Sequence, residues 1–125
     1  MTALNLGERT LAASDVALLR RLGSPAHQPA IVELLAEADV LPPGGQQADL
    51  VTMYARIEVE DSATRHRMSL VLCHPAESAP AAGCVSVVSP IGLALIGLRV
   101  HDTARWTSPN GDACAAEVLA VSPLE

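Results

Sequence analysis

The stretch that decides the fold is residues 89–102, SPIGLALIGLRVHD, which combines a short helix that has its own start and stop signals with an extended segment. Ser89 suits the cap position, where its hydroxyl can accept a backbone N–H, and Pro90 suits the first helical position because no donor is needed there. Gly97 can adopt the left-handed conformation that ends a helix. We therefore predict a helix from about Pro90 to Ile96, followed by a strand.

A period-two pattern upstream of this helix predicts a β-hairpin. From Leu50 to Glu60, apolar and polar residues alternate as in a strand with one buried face. Arg67–Cys73 returns as a second strand, and Cys84–Val88 follows as a short third strand that is expected to be buried on both faces. The apolar positions of the first two strands are Val51, Met53, Ala55, Ile57, Val59, Met68, Leu70 and Leu72.

Downstream of the helix, the sequence predicts a final hairpin. Thr103–Thr107 and Ala113–Val121 flank Asn110 and Gly111, two residue types that tolerate positive φ in a tight turn. The full order is strand, strand, strand, helix, strand, strand. We therefore expect an α+β domain over residues 49–125, built as a mainly antiparallel five-stranded sheet with one helix.

The N-terminal third of the sequence predicts a short helical hairpin over residues 14–41. Ser14 is expected to cap the first helix, Asp15 to complement its dipole, and Gly23 to end it. A second helix is expected from Pro29, and the short connection between the two favours an antiparallel pair.

Two segments flank this hairpin. Residues 1–13 lack a clear period and are expected to form a loosely held arm. A Pro-Pro-Gly-Gly run ends any helix, so residues 42–48 are interpreted as a linker.

Composition argues against a protein that binds nucleic acid on its own. The formal net charge is -6, from 14 acidic and 8 basic residues, and the sequence contains no Lys. Binding to a phosphate backbone requires clustered basic residues. With one Trp, one Tyr and no Phe, the chain also lacks the rings for a base-stacking surface or for the aromatic pocket of a prolyl isomerase.

No catalytic or metal-binding motif stands out. The four histidines are scattered and show none of the spacings of a zinc site, although Cys73-His74, Cys84 and His101 could converge in space. Ser89 has Val and Pro as neighbours, so it does not lie in the glycine-flanked elbow of a serine hydrolase. We expect no enzyme activity, no metal site and no cofactor.

Cysteine usage and hydropathy predict a cytoplasmic protein. The three cysteines fall inside predicted strands without metal-ligand spacing, as expected for reduced thiols in a core. No apolar run approaches the ~20 residues of a membrane span, and the N-terminus lacks the order of a secretion signal.

A family resemblance emerges from these elements together. Four features follow one another along the chain: Val51-Thr52-Met53 at the head of a strand, Leu70-Val71-Leu72 followed by Pro75, the SPIG helix, and Trp106. From about Leu50 to its end, the chain resembles the C-terminal domain shared by Gre-type transcript cleavage factors and the regulator of nucleoside diphosphate kinase family, more closely the regulator. The resemblance implies an FKBP-like fold, in agreement with the order of elements.

The resemblance also implies a partner and a contact site. It suggests a non-enzymatic transcription regulator that binds RNA polymerase near the secondary channel and competes there with Gre-type factors. In the cleavage factors, the loop matching Ser89-Pro90 presses against the polymerase rim, which makes Ser89, Pro90 and Ile91 the expected partner-binding residues. Helix capping together with a core Ile91 is the alternative explanation. His101 departs from the pattern, because the family usually has Gly before Asp102.

The hairpin is a second departure from the cleavage factors, in which a long coiled coil presents acidic residues that help to hold a catalytic metal. Here each helix has only about 8 to 11 residues, or roughly 12 to 16 Å. The connection Gly23–Gln28 contains no Asp or Glu. We therefore expect no stimulation of transcript cleavage.

The alternative function is an FKBP-like binding module for a different protein or a small molecule, with the exposed side of the sheet as its binding surface. The exposed residues of the helical hairpin should discriminate between these two functions. Exposed Arg20 and Arg21 beside Glu33 and Glu37 would indicate a solvated appendage, whereas an uncovered apolar patch would indicate an interface.

Overall fold

Within the described residues, the secondary structure begins and ends with strands. The computed structural model describes residues 9–24, 26–41 and 49–122. Its elements in chain order are β1 (Thr10–Ala12), α1 (Ala13–Leu22), α2 (Pro29–Glu37), β2 (Asp39–Leu41), β3 (Arg56–Asp61), β4 (Arg67–Cys73), β5 (Cys84–Ser86), α3 (Pro90–Leu95), β6 (Thr103–Thr107) and β7 (Ala113–Ser122). Two 3-10 turns, Pro75–Glu77 and Pro80–Ala82, connect β4 to β5.

The main sheet has five strands in the order β5-β4-β3-β7-β6. The pairs β3–β4, β3–β7 and β6–β7 are antiparallel, while β4–β5 is parallel. The sheet is therefore mixed, with antiparallel pairing dominant. This architecture confirms the predicted α+β class.

The alternating pattern from Val51 to Val59 correctly predicts which residues are buried, but it overestimates the length of the strand. Its five apolar positions are all buried, yet β3 begins only at Arg56. Tyr54 has a φ of 66° and donates its backbone N–H to the carbonyl of Leu72 at 2.9 Å, so the chain bends before the strand starts. A positive φ interrupts a strand even where the hydrophobic period continues.

The expectation that Cys84–Val88 is a strand buried on both faces is wrong. The strand β5 ends at Ser86, and all three of its residues are only half-buried. It lies at the edge of the sheet, where one side has no neighbouring strand of the main sheet. The chain then turns towards α3, with the Ser89 N–H donating to the Ser86 carbonyl at 3.1 Å.

The N-terminal arm is more ordered than expected. Thr10–Ala12 forms β1, which pairs in parallel with β2, and Leu11 is 1% exposed. The Thr10 N–H also donates to the carbonyl of Gly97 at 3.0 Å. Residues 1–8 of the predicted arm and the predicted linker 42–48 lie outside the described residues.

The predicted cap of the first helix is also wrong. Ala12 occupies the cap position, makes no side-chain capping bond, and is followed directly by helical Ala13. Since β1 leads straight into α1, Ser14 is already inside the helix and cannot cap it. Asp15 is buried rather than exposed at the helix start.

One hydrophobic core unites both parts of the molecule. Side chains of β1, α1 and α2 belong to the same buried cluster as those of the main sheet and α3. Burial of each Leu or Ile stabilises the fold by about 1.5–3 kcal/mol. The inner face of the helical hairpin is therefore packed into the core of the fold. Its buried members are Leu11, Val16, Leu19, Ile31 and Leu34.

Candidate functional site

The loop before α3 has the geometry that its sequence predicts. The Ser89 hydroxyl accepts the Gly92 N–H at 3.1 Å and donates to the carbonyl of Ser86 at 2.7 Å. The first bond satisfies one of the free donors at the start of the helix. The helix ends at Leu95, and Gly97 adopts the predicted left-handed conformation with a φ of +85°. The capping role of Ser89 is confirmed.

Ser86 stabilises this loop through hydrogen bonds. Besides its carbonyl contacts, its hydroxyl accepts the backbone N–H of Val88 at 3.2 Å. Gly92 packs directly on the same residue, and a Cβ at this position would lie 2.2 Å from the Ser86 carbonyl oxygen. Only glycine permits this approach. The loop 86–89 and the first turn of α3 are thus packed as one unit.

The outer side of this turn faces solvent. Pro90 is exposed, while Ser89 and Ile91 are half-buried. Ile91 borders an open groove of about 460 Å³ next to Met68, which is 42% exposed. The remaining lining residues come from β4, β5 and the preceding turn: Ser69, Leu70, Pro80, Ala81, Ala82, Gly83 and Val85. The turn and the groove together form an accessible surface with apolar atoms, which a side chain of another protein can contact.

Arg9 fixes the other end of α3. One of its guanidinium nitrogens, Nη1, donates to the carbonyls of Leu93 at 2.9 Å and Ile96 at 3.1 Å, which lie at the C-terminal end of the helix. Burial lowers the pKa of Arg9, and the nearby Asp102 carboxylate opposes this shift. The Arg9 carbonyl also accepts the Asp39 N–H at 2.9 Å, which connects α3 to the root of the hairpin. Sequence reasoning missed Arg9, because no local signal indicates a partner more than 80 positions away.

Asp15 makes a second connection between the hairpin and the domain. Its side chain Oδ2 accepts the backbone N–H of Met53 at 3.1 Å, and the residue is only 5% exposed. Burial raises the pKa of Asp15, while this hydrogen bond acts in the opposite direction. The carboxylate thereby satisfies a backbone donor in the bend before β3.

The outer face of the hairpin is solvated. Arg20, Arg21, Glu33 and Glu37 are all exposed, and within the described residues no ion pair joins them. Helix α1 has 10 residues and α2 has 9. At the α-helical rise, these helices are only about 14 to 15 Å long.

Two of the cysteines, Cys73 and Cys84, lie on the paired strands β4 and β5. Cys73 is buried, whereas Cys84 and Cys114 are partly exposed. His101 lies in the last part of the domain with its Nδ1 atom 3.6 Å from Glu117 Oε2. Across residues 9–24, 26–41 and 49–122, no group of three or more His, Cys, Asp or Glu residues is placed to hold a metal ion. In the same ranges, no helix has the length and apolar character needed to cross a membrane.

His101, which stands where the family usually has Gly, has a strained backbone conformation. Its φ is 81°, in the left-handed region that favours glycine. Its backbone N–H donates to the Val118 carbonyl at 2.8 Å, so the surrounding structure holds this conformation.

Two solved structures that share this fold are described as Gre-type transcription factors. The prokaryotic transcription elongation factor GreA/GreB from Nitrosomonas europaea matches with a TM-score of 0.72 and 24% identity, over 91% of this chain and 98% of that chain. The GreA factor homolog 1 of Thermus thermophilus matches with a TM-score of 0.52 and 20% identity, again over 91% and 98% of the two chains. At these identities, the likeness establishes the fold.

The sequence establishes the family. The family described as "Transcription elongation factor, GreA/GreB, C-term" matches residues 46–123, and the chain belongs to it. The regulator of nucleoside diphosphate kinase of Escherichia coli (strain K12) is 34% identical over 85 residues, which are 68% of this chain and 62% of that protein. The transcription elongation factor GreA of Acidiphilium cryptum (strain JF-5) is 32% identical over 89 residues, 71% of this chain and 56% of that protein. The chain thus matches less than two thirds of the length of these curated relatives.

Proposed function

We propose that this protein is a non-enzymatic transcription regulator that binds RNA polymerase near the secondary channel without stimulating transcript cleavage. Membership of the Gre family supports a role in transcription. The observation that carries the proposal is a short hairpin without carboxylates at its tip, combined with a firmly held turn at Ser89–Ile91 in which Pro90 is exposed.

The hairpin argues against cleavage on two grounds. Its helices extend only about 14 to 15 Å, so it cannot reach as far as a long coiled coil. The connection 23–28 reads GSPAHQ and offers no carboxylate oxygen, which is the ligand that Mg²⁺ prefers. Binding at the same place would therefore obstruct cleavage factors rather than replace them.

The expected contact residues are Ser89, Pro90 and Ile91. Pro90 is exposed at the first helical position, and Ile91 is half-buried beside the open groove. Because Ser86 and Gly92 hold this turn, little conformational freedom is lost when a partner binds it. In this proposal, residues 49–125 form the docking domain and the hairpin 14–41 lies against it.

A binding module for another partner is the second candidate. The groove of about 460 Å³ beside Met68 and Ile91 favours it, since apolar concave surfaces are the usual binding places for small molecules and peptides. The two candidates differ in whether purified polymerase is bound at all.

Co-elution with core RNA polymerase on a sizing column tests the proposal. We expect the protein to co-elute at micromolar concentrations and to be displaced by a Gre-type factor. It should also inhibit, rather than stimulate, transcript cleavage by that factor. Absence of co-elution would reject the proposal and favour the second candidate.

Variants locate the contact. The double substitution Pro90→Ala and Ile91→Asp should weaken co-elution while unfolding stays cooperative. Val40→Asp is the matched control, because Val40 is 53% exposed on β2, away from the turn in the sequence and in a different sheet. Equal binding by both folded variants would remove the Ser89–Ile91 turn from the proposed contact.

A further inference from the structure

Strand β4 extends beyond its neighbour β5. Residues 71–73 of β4 pair with β5, but β4 begins four residues earlier, at Arg67. Gly83, the residue before β5, has a φ of +85° and ends the 3-10 turn Pro80–Ala82, so the chain enters the sheet only at this point. Within the described residues, 67–70 therefore have β3 on one side and no strand on the other. We call these four residues the open edge of β4.

The backbone groups that point away from β3 at the open edge belong to Arg67 and Ser69. Residues of an antiparallel pair alternate between those that bond to the neighbouring strand and those whose N–H and C=O point away from it. The Asp61 N–H donates to the His66 carbonyl at 2.8 Å, so His66 and every second residue after it bond to β3. Val71, in the alternate series with Arg67 and Ser69, accordingly directs its N–H to the other side, where it donates to the residue before β5 at 2.8 Å. Across the described residues, no backbone hydrogen bond engages the N–H or C=O of Arg67 or Ser69.

One face of the open edge is apolar. Met68 and Leu70 lie on this face, and Met68 is 42% exposed. Together with Val85 and Ile91, they border the groove of about 460 Å³ described above. The groove and the unpaired backbone groups thus lie at the same place, beside the first half of β4.

The other face of the open edge is polar. It carries Ser69 and, on β3, Arg56 and Glu58, and these three residues border a second open groove of about 320 Å³. Successive side chains of a strand point to opposite faces of a sheet. A segment placed along the open edge would therefore direct its side chains alternately towards an apolar and a polar surface.

The other outer strand of the main sheet lacks this combination. In β6, Ala104 is 1% exposed and Trp106 is half-buried, and the exposed residues are Thr103, Arg105 and Thr107. An edge that presents polar and charged residues resists the addition of further strands. Backbone groups without partners and an exposed apolar residue thus coincide at β4 but not at β6.

We propose that an extended peptide segment of another protein adds to β4 as a further strand at the open edge and places an apolar side chain in the groove beside Met68 and Ile91. An extended backbone offers donors and acceptors in line, so it can bond to the outward groups of Arg67 and Ser69. At about 3.3 Å per residue, the open edge accommodates about four residues of the peptide. The segment that fits best alternates apolar and polar residues. This inference goes beyond the proposed function, since it concerns a peptide ligand and does not require polymerase.

Titration of the isotopically labelled full chain with a synthetic peptide tests the inference. The peptide is a blocked hexapeptide in which two valines and two threonines alternate between terminal lysines. Its control is the same peptide N-methylated at the four central residues, which removes their N–H donors. We expect the unmethylated peptide to bind with a Kd of roughly 0.1–1 mM and to shift the amide resonances of residues 67–70 and 83–85. It should also slow hydrogen exchange of the Ser69 amide at least about tenfold, because that N–H gains an acceptor.

A matched pair of variants tests the role of the groove. Met68→Thr removes the exposed apolar side chain and keeps a residue that favours strands. Val40→Thr makes a comparable change at a residue that is 53% exposed in the smaller sheet. We expect Met68→Thr to weaken peptide binding roughly 3- to 10-fold and Val40→Thr to leave it within about twofold of the wild type. Thermal unfolding of both variants checks that they are folded.

Several outcomes of the titration would overturn the inference. Equal binding of the N-methylated peptide, or shifts without protection of the Ser69 amide, would exclude strand addition. Shifts confined to β6 would place the peptide at the other edge, and protection of Ser69 in a concentration-dependent dimer without peptide would make a second copy of this chain the occupant. Absence of shifts up to about 5 mM peptide would overturn the inference directly. Because the samples contain no polymerase, these outcomes are separate from the success or failure of the proposed function.

Discussion

Replacing Gly92 by Ala should displace the turn that we propose as the partner contact. The added Cβ would lie 2.2 Å from the Ser86 carbonyl oxygen and 2.9 Å from Val87 Cα. Non-bonded carbon atoms rarely approach backbone atoms within about 3 Å, so α3 and the loop 86–89 must separate by about 1 Å. Because the obstructing atoms are backbone, a side-chain rotation cannot relieve the contact.

Opposing terms set the size of the effect. Overpacking costs about 1–3 kcal/mol, and the shift also weakens the Ser89 cap, which is worth about 1 kcal/mol. Ala favours helix over Gly by up to about 1 kcal/mol, which offsets the loss of the cap. We therefore expect the free energy of unfolding to fall by about 1–3 kcal/mol and the Tm to fall by at least about 4 °C.

Urea and thermal unfolding followed by circular dichroism would measure this change. Gly23→Ala is a suitable control, because the nearest atom to its added Cβ is a side-chain methyl of Ile31 at 3.1 Å, which can move. The Gly92 variant should lose more stability than this control, and more polymerase binding. A Gly92 variant as stable as the wild type would refute the close packing of α3 on Ser86.

Three further perturbations test other contacts. Asp15→Asn keeps an acceptor for Met53 and should remove one contribution to the pH dependence of stability. Because burial raises the folded-state pKa of Asp15, its contribution to stability is fully present below the unfolded-state pKa and is lost as pH rises through the folded-state pKa. Urea titrations in which the wild type and the variant have parallel pH profiles would contradict the role of burial. His101→Gly should raise the free energy of unfolding by about 1 kcal/mol by relieving the positive φ, whereas His101→Ala should not, and equal Tm values for the two variants would argue against backbone strain. Arg9→Met should cost roughly 2 kcal/mol and speed amide exchange near Ile96, and unchanged exchange there would show that the guanidinium does not hold the helix end.

The parts of the fold that could be predicted depend on neighbours in the sequence. Ser89, Pro90 and Gly97 act within one helix, so their residue types and spacing were sufficient to predict its start and its stop. The strand pairs β3–β4 and β6–β7 likewise follow from alternation and short turns. The candidate contact turn was predicted through family resemblance and remains a prediction as a binding site.

The parts that could not be predicted depend on distant partners. Thr10–Ala12 has no strand signal of its own and becomes β1 because β2 and Gly97 offer it backbone partners. Asp15 has the position of a residue that complements the helix dipole. Only the packed structure reveals that its carboxylate accepts the backbone N–H of Met53. The bend at Tyr54 could not be predicted, because apolar and polar residues alternate without interruption through this position.

The hydrogen bond from Thr10 to Gly97 has a consequence for the order of events during synthesis. The carbonyl that accepts the Thr10 N–H belongs to a residue that the ribosome adds 87 positions after Thr10. Until then Leu11 lacks much of its final environment, and contacts of such large sequence separation form slowly. During synthesis, β1 therefore lacks this partner until Gly97 has been added, and it stays accessible to chaperones and proteases for that time.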